Sequence, residues 1–304
     1  MNNLELTRQS VLTGIVLMVV GTLCASGADA ALKAVASDYA APQVLLVAAV
    51  LSLILTLVAN IGHPVARVYQ TDAPGAMLGR AVATVIAALG FYQAFVLIPF
   101  SQVFLFIGAM PLMAGALSRV LLGERPDGPV WACLAVGFLG LLCLIPTVGT
   151  SSSLSGLIFA AMGSLAGTVS VVLARRICRN HTHALAQVFL PQLALAVSMA
   201  ILWPFVAKPM ALDDFGMISF YAALVFCARW IMVVVARLLP AWLTLQLLNM
   251  QFVWMVAIGI LVFGEKTSSF VFLGAGLIIL AGVLMARQEL AKLSERRVAV
   301  ELAG

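Results

Sequence analysis

The sequence predicts an all-α integral membrane protein with ten transmembrane helices, arranged as two inverted five-helix repeats. Three observations predict it. Of 304 residues, 63% are hydrophobic and only 10% are charged, whereas a soluble domain carries about 25% charge. The chain divides into ten apolar runs, each close to the roughly 20 residues that cross a bilayer. The same landmarks then recur about halfway along the chain.

The ten runs are Val11–Leu32, Pro42–Ile61, Ala81–Ile98, Ser101–Leu122, Val130–Ile145, Leu154–Leu173, Leu185–Val206, Met217–Ala236, Ala241–Phe263 and Ser269–Met285. Each reads as a helix, because in lipid only helices and closed barrels satisfy their own backbone. The runs are continuously apolar, which excludes the alternating pattern of a barrel strand. Such spans leave room only for short loops and none for a soluble catalytic domain. At the start, Arg8, the run from Val11 and the triplet Ala28-Asp29-Ala30 imitate a signal peptide. The repeat requires the first run to stay as a span.

The distribution of Lys and Arg orients the chain. With the N-terminus cytoplasmic, 13 fall on the cytoplasmic side, among them Arg67, Arg80, Arg119, Arg175, Arg176 and Arg237. Three fall on the other side, namely Lys33, Lys208 and Lys266. The seventeenth, Arg229, lies inside a span. This asymmetry predicts a multi-pass protein of the bacterial inner membrane with both termini cytoplasmic. The net charge of +5 is thereby a property of loops and predicts no nucleic-acid partner. The cysteines Cys24, Cys133, Cys143, Cys178 and Cys227 have no metal-ligand spacing, and four lie in apolar runs as small packing residues.

The repeat is the most informative feature. Pro99 opens the fourth span and Gly123-Glu124-Arg125 closes it; Pro240 and Gly264-Glu265-Lys266 do the same for the ninth, 141 residues later. Gly21-Thr22-Leu23 matches Gly163-Ser164-Leu165, and Lys33 matches Arg175, both at 142 residues. Five spans per half is an odd number, so the second half is upside down relative to the first. The expected units are 1–148, 149–286 and a cytoplasmic tail, 287–304. Inverted repeats are a transporter architecture with the substrate near the midplane between the halves.

Few polar residues lie within the spans. Arg229, deep in the eighth, is the leading candidate substrate-binding residue, because an intramembrane Arg is costly unless used and its forked donors fit a carboxylate or phosphate. Its structural alternative is an Arg satisfied by helix carbonyls or snorkelling to the surface. Asp29, near the outer end of the first span, is a candidate coupling group, or else an i,i+4 partner of Lys33. Gln246 and Asn249 share a face of the ninth span, and such amides either join helices or line a wet cavity. Tyr92, Trp230 and Trp254 can stack on a planar ligand or simply pack. Gly137, Gly140, Gly274 and Gly276 predict close helix contacts. Gly123 predicts a helix cap, and Pro191 a kink in the seventh helix.

The ordered set Pro99…Pro111…Gly123-Glu124, Gln251-Phe252-Val253-Trp254…Phe263-Gly264-Glu265 and Asp29-Ala30-Ala31-Leu32-Lys33 resembles the ten-helix EamA-type branch of the drug/metabolite transporter superfamily. Its bacterial members include riboflavin and S-adenosylmethionine transporters. The resemblance covers nearly the whole chain. It implies a central cavity walled by helices such as the first, third, fourth, sixth, eighth and ninth. Two departures separate this chain from its relatives. Many carry an Arg in the second helix where Ala48 stands here, and Pro111 of the fourth helix meets Phe252 in the second half.

No P-loop, H-E-x-x-H or G-x-S-x-G is present. The sequence therefore predicts no catalytic residue, no metal, no cofactor and no ATP-driven step. The expected function is secondary transport of a small polar or amphipathic metabolite, such as an amino acid, a vitamin or a nucleoside-like compound. Its partners are that small molecule and the lipid bilayer, with H+ or another ion open as the coupling partner, in a monomer or a homodimer. An integral-membrane enzyme or lipid-modifying protein is the alternative class. It would need an acid–base cluster at membrane depth, and the spans offer only Asp29 and Arg229 as charges.

Overall fold

A computed structural model describes residues 8–35, 38–98, 100–124, 126–143, 153–179, 182–261 and 269–303. Among these residues the chain is helical, with no strand. The helices are α1 (Arg8–Val35), α2 (Ala41–Ala59), the short α3 (Ala66–Tyr69), α4 (Pro74–Leu97), α5 (Phe100–Leu121), α6 (Gly128–Leu142), α7 (Leu154–Cys178), α8 (Ala184–Leu202), α9 (Leu212–Leu238), α10 (Ala241–Leu248), α11 (Met250–Leu261) and α12 (Ser269–Ala303). Among the described residues, eight spans are long and apolar enough to cross a membrane, with α10 and α11 counted as one. Two shorter apolar helices, Leu105–Leu121 and Gly128–Gly140, accompany them. The protein is thus a multi-pass all-α membrane protein.

Local chemistry sets several ends. Proline stands at the first turn of α2 and α4, where its missing N–H costs nothing. Ser153 Oγ caps α7 by accepting from the Gly156 amide. His183 Nδ1 caps α8 by accepting from the Leu185 amide at 3.2 Å. Gly123 ends α5 at φ +67°, and the Glu124 amide reaches back six residues to the Ser118 carbonyl. That left-handed cap is the one expected of this glycine.

Three expectations change. The third span starts at Pro74, so Arg80 lies inside α4 and not in a loop. The ninth span, expected unbroken over Ala241–Phe263, is interrupted at Asn249. There the Asn249 amide bonds to the Gln246 carbonyl only three residues back, and Ser26 of α1 donates to the Gln251 carbonyl at 3.0 Å. The last helix runs through the expected tail to Ala303. Conversely, α8 continues through Pro191. Pro99, Gly264, Glu265 and Lys266 lie outside the described residues.

Packing pairs close a ring. In order round it, α5 packs on α7, α7 on α4, α4 on α8, α8 on α2, α2 on α9, α9 on α1, α1 on α10 and α11, and α10 on α5. The pair α6 and α12 lies outside this ring, against α5, α1, α10 and α11. The interior is unlike that of a soluble protein. Thr22, Ser26, Ser52, Thr56, Ser164 and Thr168 are buried, while Val16, Val120, Phe205 and Leu212 are exposed. Small and polar residues between helices with large apolar ones outward suit a lipid solvent. Buried hydroxyls donate to their own helix four residues back, as in Thr56 to Ser52 and Thr168 to Ser164.

Glycines set the closest crossings. A Cβ on Gly90 of α4 would stand 2.9 Å from the Gly163 backbone of α7. Gly140 of α6 and Gly274 of α12 meet in the same way, each against the other's carbonyl oxygen. The contacts pair off between halves: Gly14 meets Leu239 as Gly156 meets Ile98, and Gly21 meets Ile231 as Gly163 meets Gly90. We expect Gly90→Val to lower stability by about 1–3 kcal/mol or more, because backbone cannot yield as a side chain can. Thermal unfolding of the detergent-solubilised variant measures it. An unchanged midpoint would mean that α4 and α7 do not cross here.

Candidate functional site

One end of the ring is tied shut. Thr182, just before α8, receives a bond from the Asp72 amide at 3.3 Å, lies 3.2 Å from the Thr71 hydroxyl, and its carbonyl accepts from Arg237. The start of α4, the start of α8 and the end of α9 therefore share one face. On the same face Arg175 of α7 donates from Nε to Glu124 at 2.7 Å and from Nη1 to the Ala236 carbonyl at 3.1 Å and the Leu239 carbonyl. Arg179 joins Glu124 and donates to the Leu122 carbonyl at 3.0 Å. Here α7 and α9 touch across the ring. Basic side chains on the last carbonyls of α9 are favourably placed against its dipole. His183 sits in this basic surround. Burial, with Arg67, Arg237 and His63 nearby, pushes its imidazole below the ordinary value.

Above this closure lies a polar cluster. Arg80 Nη1 donates to Gln187 Oε1 at 2.6 Å. Gln187 Nε2 donates to Cys178 Sγ at 3.0 Å, and Cys178 Sγ lies 3.8 Å from the Val233 carbonyl. Thr84 donates to the Arg80 carbonyl at 2.8 Å and lies 2.9 Å from the Ser170 hydroxyl. The chain Arg80–Gln187–Cys178–Val233 thus joins α4, α8, α7 and α9. Arg229 stands one turn before Val233 on the buried stripe of α9 that also carries Ala222, Phe226 and Ala236. It is half-buried, and no hydrogen bond or ion pair joins it to another described residue. Tyr221 lies within electrostatic reach of Arg229, and so does Arg80.

The other expected site residues fall elsewhere. Asp29 accepts from Gln251 Nε2 across the α1–α11 seam, and Trp254 Nε1 donates to Thr22 Oγ1 at 3.2 Å in the same seam. Gln246 is 1% exposed with both amide atoms unpartnered, and it packs on Gly137 of α6. Asn249 is 3% exposed with Nδ2 unpartnered, at the break in the ninth span. Tyr92 is buried, and its hydroxyl donates to the Tyr39 carbonyl at 2.9 Å. Tyr39 in turn donates to Asp214 at 2.6 Å, which pushes the Tyr39 hydroxyl above its ordinary value. Trp230 is 39% exposed and packs on Phe226, ring centroids 5.8 Å apart. Of the expected set, Arg229 alone joins the cluster above the closed end.

Sequence reasoning passed over Arg80 and Gln187. The apolar run starts at Ala81, which by hydropathy alone leaves Arg80 in a loop. Pro74-Gly75, a helix-start signal seven residues earlier, would have placed it inside the span.

The comparisons agree with this architecture. The model of the EamA-like transporter family matches residues 12–145. No curated protein matches the chain. A solved structure, described only as a crystal structure of protein, is similar with a TM-score of 0.73 at 16% identity. The alignment covers 91% of this chain and 98% of that one, a likeness of fold. Residues 12–145 thus match the model of the EamA-like transporter family, and the chain shares its fold with that crystal structure across nearly the whole length of both.

Proposed function

We propose that the protein is a secondary transporter that moves a small polar or amphipathic metabolite across a bacterial inner membrane, both termini cytoplasmic, through the lumen of its helix ring. The observation that carries this reading is Arg229. A guanidinium within a membrane span, half-buried and unpaired with any described residue, needs a polar partner. A bound carboxylate or phosphate supplies one. The halves 1–148 and 149–286 act as inverted repeats, a reading supported by the contacts that recur when they are exchanged. The closed end, rich in Arg, is the cytoplasmic one on this orientation. Asp29, held by Gln251 between α1 and α11, is the candidate for ion coupling.

Metabolite profiling of cells with and without the protein nominates the substrate. The nominated compound is then offered to proteoliposomes that contain no ATP. Uptake above that of protein-free liposomes is the expected result. Uptake that needs added ATP, or none above the blank, would overturn secondary transport.

A further inference from the structure

Arg80 is a second arginine within a membrane span, buried between α4 and α8. It lies six residues into α4 and Arg229 nine residues before the end of α9, on helices whose ends share one face. At 1.5 Å per residue they stand about 9 and about 13 Å above that face, within about 5 Å of the same depth. Arg80 is 8% exposed, and its Nε has no partner. One neutral amide, Gln187, satisfies its Nη1.

Four of the described carboxylates are engaged elsewhere. Asp29 is held by Gln251, Glu124 by Arg175 and Arg179, Asp127 by Lys292, and Asp214 by Tyr39. Among the described residues, no carboxylate lies within ion-pair distance of Arg80 or Arg229. Two like charges at one depth repel, and each is costly in a low-dielectric interior without a counter-charge. A ligand with a single negative charge would offset only one of them.

We propose that Arg80 and Arg229 together form a two-cation floor of the lumen, and that the substrate is a small organic dianion, a phosphate monoester or a dicarboxylate. The inference rests on Arg229 as the substrate anchor and adds the second charge. Gln187 fixes the Arg80 fork, leaving its Nε side for the ligand. Arg229, with no hydrogen-bond or ion-pair partner among the described residues, closes on the same ligand from α9. The two forks suit oxygens on one phosphoryl group or on two carboxylates a few bonds apart.

The test compares matched probes on the purified full chain. Glycerol 3-phosphate and succinate are the dianions, lactate the monoanion and glycerol the neutral control. Binding is read from the concentration dependence of thermal stabilisation. The wild type should bind at least one dianion about tenfold or more tightly than lactate, and glycerol not at all. Arg80→Gln should reduce that dianion to the level of lactate, and Arg80→Lys should retain part of the preference. The wild-type comparison needs no variant, so a misfolded Arg80→Gln leaves the test intact. Anion binding with no preference for the second charge would overturn the two-cation floor and spare the Arg229 anchor. A dianion preference that persists in folded Arg80→Gln would also overturn it. No binding by any of the three anions would remove both.

Discussion

Replacing Arg229 with Leu is expected to abolish transport while the protein still folds. The side chain makes no hydrogen bond or ion pair with a described residue, so its loss leaves no buried partner stranded. A structural Arg would behave in the opposite way, because removing one member of a buried pair destabilises the fold. Charge-assisted hydrogen bonds contribute about 1.5–3 kcal/mol each. Losing one therefore weakens apparent substrate affinity by about 10- to 100-fold. Arg229→Lys keeps the charge but not the planar fork, so transport should fall to an intermediate level. Uptake into proteoliposomes gives the transport rates, and detergent unfolding gives stability. Wild-type affinity in a stably folded Arg229→Leu protein would remove Arg229 from the substrate site and leave an anionic substrate unsupported.

The second large effect is on stability, at Glu124. Its carboxylate receives Arg175 and Arg179 and so joins the end of α5 to α7, and through Arg175 to the end of α9. The side chains of Arg175 and Glu124 are only 12% and 14% exposed. Glu124→Ala leaves the Arg175 guanidinium buried without its counter-charge, a loss expected to cost about 3–5 kcal/mol. Arg179 is 44% exposed, and an exposed pair contributes about 0–1 kcal/mol. Arg179→Ala should therefore leave the unfolding midpoint almost unchanged. Equal midpoints for the two variants would show that Glu124 does not hold this end of the ring together. The tie also bears on transport, since α7 and α9 must part here for a lumen to open on this face. Loss of the Glu124 contacts should make a cysteine at Thr182 more reactive to an impermeant maleimide.

Much was legible without coordinates because lipid imposes simple rules. Runs such as Pro42–Ile61 had to be helices. Gly123 was readable as the end of one, because glycine adopts a left-handed cap without strain, and its φ is +67°. The facing glycines of α6 and α12 were readable as small residues in membrane helices. Boundaries were less legible. A hydropathy run begins where charge ends, whereas α4 begins where Pro74 permits, six residues before Arg80. The break at Asn249 was invisible for a similar reason. No proline or glycine marks it: the Asn249 and Phe252 amides simply bond three residues back instead of four.

By itself the sequence determined the class of the protein, that it is built of apolar helices, and the placing of one arginine among apolar residues. Burial, charge and helix length act locally along the chain, so they can be read from it. Tertiary structure decided which polar groups meet. It set Gln246 against Gly137, Tyr92 against the Tyr39 carbonyl, and Trp230 at the exposed surface. It also placed Arg80, Gln187 and Cys178 beside the α9 stripe that carries Arg229. The physical reason is that periodicity tells which residues share a helix face, whereas the neighbour of that face depends on how the helices close into a ring.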